Sequence, residues 1–184
     1  MTLAAFRRRR GSLAWLLLIV ALGLVLGALA AVPLLRSPSD GRTGTLVGQA
    51  APALEATDLD GGQWSLAATD AEIVWVNFWA TSCEPCRTEM PAMQRLAEAY
   101  GGELLVLGVD WGEGRDAVED FVDRYGVTYP ILLDPTLENY YRWAAADGLP
   151  RHYFIGADGT VLREVIGPLD PAQMVAILDE LLDG

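Results

Sequence analysis

The chain has 184 residues, enough for one domain with a full core plus an extra segment and too few for two ordinary domains. Its formal charge of −12, from 25 acids against 13 basic residues, argues against a nucleic-acid surface, because phosphate binding needs clustered positive charge. All the basic residues are Arg, which removes lysine chemistry, and one His with two Cys excludes multi-histidine metal sites, four-cysteine zinc sites and disulfide-dense scaffolds. Thiols and carboxylates are left to carry any reaction.

Residues 1–36 hold five Arg (Arg7, Arg8, Arg9, Arg10 and Arg36) and no acid, so residues 37–184 carry a balance of −17. From Leu13 to Leu35 the chain is apolar for 23 residues. At ~1.5 Å per residue a helix of that length reaches ~34 Å, enough for a hydrocarbon core of ~30 Å. Four arginines stand just before it, and positive flanks stay in the cytoplasm, so 1–12 is read as a cytoplasmic N-terminus, 13–35 as a transmembrane anchor, and the acidic remainder as extracytoplasmic. A signal peptide cut after Ala28-Leu29-Ala30 would deliver the same segment to the same side, but the apolar run exceeds the ~7–15 residues of a signal core. Residues 36–48, rich in Ser, Gly and Thr, read as a linker to a domain over 49–184.

Within that domain, Ala53–Thr57 and Gln63–Ala67 flank a turn-rich interval and predict a hairpin. Ile73–Trp79 is β-branched and aromatic throughout, as in a strand buried on both faces. Glu84–Tyr100 has helical spacing of Met90, Met93, Leu96 and Ala97, with Gly101-Gly102 as the stop. Leu104–Val109 is a second strand, Arg115–Tyr125 a second helix, Pro130–Leu133 a short strand and Leu137–Ala145 an irregular helix. His152–Ile155 and Val161–Ile166 form a hairpin around Ala157-Asp158-Gly159, and Asp170-Pro171-Ala172 starts a last helix through Leu182. Such alternation predicts an α/β fold with a mainly parallel sheet and helices on both faces. Asp116, Glu119, Asp120 and Asp123 read as a solvated helix face.

The most specific motif is Cys83-Glu84-Pro85-Cys86, where the strand ending at Trp79 turns into a helix. Cysteines at i and i+3 on a first turn face the same way and can close a disulfide with little backbone movement. Pro85 suits an early helical position, whose N–H has no partner in any case. The positive helix end favours the Cys83 thiolate, the form that attacks a disulfide, and leaves Cys86 as the resolving thiol. So short a loop constrains the unfolded chain little, so a passive staple explains it poorly.

The stretch Val76-Asn77-Phe78-Trp79-Ala80-Thr81-Ser82-Cys83-Glu84-Pro85-Cys86-Arg87-Thr88-Glu89-Met90-Pro91 closely resembles the ResA/TlpA group of membrane-anchored thiol-disulfide oxidoreductases. The resemblance spans roughly residues 46–183. It implies a thioredoxin-like fold with a helix-strand insert and an N-terminal β-hairpin, preceded by one transmembrane helix, and no cofactor beyond the redox-active pair Cys83–Cys86. It implies reduction of protein disulfides outside the cytoplasm, commonly in apocytochrome c, with electrons from a membrane thiol donor. By position, Cys83 resembles the exposed nucleophile, Cys86 its buried partner, Glu89 a carboxylate that tunes the thiols, and Pro150 a cis-proline facing the disulfide. Two departures concern the substrate: Ser82 stands where relatives carry Trp, and Arg151 and His152 follow Pro150 where small hydroxyl residues are usual.

Charge suggests the direction of electron flow. A Glu84 carboxylate ~8 Å from a Cys83 thiolate costs ~2 kcal/mol at an effective dielectric of ~20, and a disfavoured thiolate makes a stronger reductant. The rival reading is a copper-binding or copper-delivery module using Cys83, Cys86 and His152. Its weakness is a spacing of two residues where such proteins usually have three. A strand histidine such as His152 otherwise reads as a half-exposed packing residue.

Overall fold

The computed structural model describes residues 46–144 and 148–183, together with Trp15. The chain divides into two units, Met1–Arg42 and Thr43–Gly184, and the second holds everything that follows. The expected anchor at 13–35 and the segment 1–12 lie outside the described residues but for Trp15; among the described residues no helix is long and apolar enough to cross a membrane. The linker expected over 36–48 ends earlier than its sequence suggests. Leu46 N–H donates to Glu164, Gly48 N–H donates to the Val161 carbonyl, and Ala50 bridges Thr160, so the chain is already part of the fold at residue 46.

Seven strands form one sheet: β1 (Glu55–Asp58), β2 (Gln63–Ser65), β3 (Ile73–Trp79), β4 (Leu104–Asp110), β5 (Ile131–Leu133), β6 (Arg151–Gly156) and β7 (Val161–Ile166). Their order is β2-β1-β5-β4-β3-β6-β7. The sheet is mixed rather than mainly parallel: only β3–β4 and β4–β5 run parallel. The helical segment between β3 and β4 can return the chain to the same end of the sheet, whereas short turns join β1 to β2 and β6 to β7 and leave those pairs antiparallel.

Every residue of β3 is buried, as its unbroken apolar run requires. Ile73, Trp75 and Trp79 point to one face, where they pack with α1 (Glu84–Tyr100), α2 (Arg115–Tyr125) and α4 (Pro171–Leu182) through Met90, Met93, Phe121, Met174 and Leu178. Val74, Val76 and Phe78 point to the other face, where α3 (Glu138–Trp143) contributes Tyr140 and Trp143. Period-two alternation thus splits a single strand between two cores. Asp116, Asp120 and Asp123 line the exposed side of α2, as expected of a solvated face.

Candidate active site

β3 ends at Trp79, and the turn Ala80-Thr81-Ser82 delivers Cys83 to the N-cap of α1. The Cys86 N–H donates to the Cys83 sulfur at 3.3 Å, so the sulfur occupies the place that a Ser or Asp oxygen takes at other helix starts. Pro85 follows inside the first turn, where its missing amide removes no bond. Cys83 and Cys86 are joined as a disulfide with Cα atoms 5.3 Å apart. Their environments differ: Cys83 is half-buried and Cys86 is 0% exposed, packed among the α1-face core.

One turn further along α1, Glu89 is 4% exposed rather than solvated. Its Oε2 accepts from the Leu169 N–H at 3.2 Å, and burial pushes its carboxyl up to about 8. Facing it from β6 is His152, fully buried, with Nε2 3.4 Å from Glu89 Oε1. Although that separation is within ion-pair distance, neither atom makes a well-formed hydrogen bond, and burial pushes the imidazole down to about 3. Both groups are therefore neutral near pH 7. The Tyr129 phenol, buried and close enough to feel Glu89, is pushed above its ordinary range, first by burial. A groove of ≈ 420 Å³ runs beside this turn, walled by Pro85, Thr88 and Ala92 of α1 and by Pro168, Leu169 and Pro171 opposite, with Glu89 in its lining.

The Leu149–Pro150 peptide is cis, as the family resemblance implied. Phe78 pairs with Arg151, so Pro150 lies at the same end of the sheet as the turn leading to Cys83.

Residues 47–163 match the AhpC/TSA family. The thiol-disulfide oxidoreductase ResA of Bacillus thuringiensis (strain Al Hakam) is 33% identical over 138 residues, which cover 73% of this chain and 78% of that one. The chain belongs to the ResA-like thiol-disulfide oxidoreductases of the AhpC/TSA family. It is similar as well to the thioredoxin-like protein YneN of Bacillus subtilis (strain 168), 34% identical over 139 residues covering 72% and 78% of the two chains. Among solved structures it resembles a thiol:disulfide interchange protein of the thioredoxin family from Chlorobium tepidum TLS, 25% identical, with a TM-score of 0.65 over 78% of this chain and 99% of that one. The fold is thioredoxin-like, and the ResA-like enzyme works on disulfides.

Three expectations about individual residues change. Glu84 is ion-paired with Arg87 and its side chain is 75% exposed, so its charge is both neutralised and screened, and it weighs little on Cys83. His152 is not half-exposed: its Nδ1 faces Trp75 and Asn77 in the core. Among the described residues no three His, Cys, Asp or Glu side chains gather as a metal site needs, and His152 faces Trp75, Asn77 and Glu89. Nor do Arg151 and His152 reshape a substrate surface directly, since both are buried, Arg151 pointing to the opposite face near Glu164. Ser82 alone of these three residues is exposed.

The sequence reading missed Glu113 and Asp110. Glu113 accepts from the Thr81 N–H at 2.5 Å through Oε2 and from the Thr81 hydroxyl at 2.6 Å through Oε1, which clamps the turn two residues before Cys83. Asp110, fully buried at the end of β4, accepts the Glu113 N–H at 2.7 Å, and burial pushes its carboxyl up to about 7. The available signal was an acid closing a buried strand, followed by Gly112 and Gly114 around a second acid.

Proposed function

We propose that this enzyme is a reductase of protein disulfides, held outside the cytoplasm by the apolar segment 13–35, with apocytochrome c as its substrate class and a membrane thiol protein as its electron donor. The observation that carries the reading is the asymmetry of the pair: Cys83 sits half-exposed at the positive end of α1, and Cys86 is sealed beneath it. A partner sulfur can therefore reach only Cys83. In the dithiol state the Cys83 thiolate attacks the partner disulfide, forming a mixed disulfide and releasing one partner thiol. Cys86 then attacks Cys83, closing Cys83–Cys86 and releasing the second thiol. Glu89, one turn beyond Cys86, accepts the proton that Cys86 sheds once its own carboxyl has ionised, a fraction that grows as pH approaches about 8. Pro150 borders the approach to Cys83 from the β6 side.

The reducing direction is supported by the likeness to ResA and by Glu89 rather than by Glu84. The same burial that keeps a proton on Glu89 also surrounds Cys86, and an apolar setting disfavours a thiolate there, which leaves the reduced pair without a stabilised charge and strengthens it as a donor. A titration in glutathione buffers tests the direction: a midpoint in the reducing range near ~−270 to −200 mV is expected, and one near ~−120 mV would sink it. The substrate class is tested by trapping. Cys86→Ala leaves Cys83 able to attack and unable to be released, so apocytochrome precursors should accumulate as mixed disulfides on this variant; captured proteins that lack haem-binding cysteine pairs would overturn that assignment.

A further inference from the structure

The buried polar groups behind Glu89 form a directional chain. His152 Nδ1 lies 3.2 Å from the indole Nε1 of Trp75 and 3.2 Å from Nδ2 of Asn77. An indole N–H can only donate, so Nδ1 is the acceptor, and the neutral ring carries its proton on Nε2. That N–H faces Glu89 Oε1 at 3.4 Å, and neither atom makes a well-formed hydrogen bond among the described residues, although the Gly167 backbone lies close enough to His152 to favour its charged form slightly. From a carboxyl that keeps its proton, a donor locked in this tautomer gains at most a neutral hydrogen bond. It becomes a charge-assisted donor once the carboxyl ionises, when such bonds shorten to ~2.7–2.9 Å.

We propose that His152 is a positioning residue for Glu89: its Nε2–H, oriented by Trp75, receives the Glu89 carboxylate as it forms and so sets the pH at which Glu89 can take the proton from Cys86. The proposal rests on the role given to Glu89 above. The step it governs is the resolving one. The Cys86 sulfur bonds to Cys83, the bond from Cys83 to the partner sulfur breaks, the partner leaves as a thiolate, and the Cys86 proton passes to Glu89. The titratable and charged groups around Glu89 are Cys86 on its own helix, His152 from β6, Tyr129 ahead of β5, and Arg95 and Asp170 on the walls of the groove. Of these, only His152 offers Glu89 a side-chain N–H in a fixed direction, because Trp75 holds its ring.

Two measurements on the full-length protein test this. The chain has a single histidine, so ¹⁵N-histidine labelling yields one imidazole spectrum. Between pH 5 and 8 it should show Nε2 protonated and Nδ1 bare; an Nδ1–H tautomer, or an imidazolium in that range, would overturn the assignment. In the second, the reduced protein is mixed with Ellman's reagent, and release of the second thionitrobenzoate reports the resolving step. Loss of a hydrogen bond to a charged acceptor predicts that His152→Phe moves the pH midpoint of that release upward by about one unit. His152→Gln, which retains an N–H donor, should stay close to wild type. Trp75→Phe removes one of the two donors that hold Nδ1 and leaves Asn77, so it should move the midpoint the same way by a smaller amount, and it serves if His152→Phe fails to fold. If Glu89→Gln abolishes the midpoint while His152→Phe and Trp75→Phe leave it in place, the positioning role is wrong and the Glu89 role stands. If Glu89→Gln leaves the profile unchanged, both fall.

Discussion

Replacing Glu113 by Ala removes both bonds that hold Thr81, and with them the clamp on the turn that presents Cys83. Hydrogen bonds to a charged acceptor are worth ~1.5–3 kcal/mol each when water is excluded. Thr81 and Glu113 are only half-buried, so water replaces part of what is lost, and we take ~2 kcal/mol for the pair together. In a folded unit of this size each 1 kcal/mol moves Tm by ~2–4 °C, so the oxidised Glu113→Ala protein should unfold ~4–8 °C below wild type in calorimetry. Thr81→Val loses only the hydroxyl bond and should fall about halfway. The slackened turn should also slow the attack of Cys83 on Ellman's reagent, since the sulfur is no longer held at the helix start. A Glu113→Ala protein that unfolds within about 1 °C of wild type, or a Thr81→Val protein less stable than Glu113→Ala, would refute the reasoning.

Glu89 carries a pH signature in stability. Its folded carboxyl, at about 8 against an ordinary 4.5, keeps a proton that the unfolded chain gives up, so stability falls as pH rises through that window. Glu89→Gln cannot ionise, and its advantage over wild type in urea denaturation should grow between pH 4.5 and 8; a constant difference would count against the burial argument. Gly108 is a packing constraint. A Cβ there would lie 2.6 Å from Ile131 Cδ1 and 3.1 Å from Trp79 Nε1, so Gly108→Ala should cost ~1–3 kcal/mol. Ile131→Val deletes the nearest atom and should recover part of that cost in a double-mutant cycle; purely additive effects would contradict the contact.

The elements of this fold were legible where one physical signal dominates. Ile73–Trp79 and Glu84–Tyr100 begin and end in the structure where a two-sided apolar run and a helical period with a glycine stop put them. Strand direction was less legible. Alternation of strands and helices suggests parallel pairing, but the hairpins at both edges depend on which strands are neighbours in space, and that is settled by long-range packing. The Cys83–Cys86 pair could be read from spacing, and the cis peptide at Pro150 only from family resemblance. Glu89, His152 and Glu113 show why the rest was hidden. Each owes its character to a neighbour 32 to 80 residues away, Thr81 for Glu113 and Leu169 for Glu89, and a linear pattern holds no trace of such encounters. Glu84 errs the other way: adjacency in sequence suggested influence, and Arg87 cancels it.

β6 lies beside β3 although more than seventy residues separate them, and Leu169 reaches Glu89 from later still. During synthesis the helix bearing both cysteines therefore emerges well before the imidazole, the proline and the loop that stand beside it in the folded protein. A nascent or truncated chain ending short of residue 150 would carry both cysteines without Pro150, His152 and Leu169. The full surroundings of the pair are complete only with roughly the last fifth of the polypeptide.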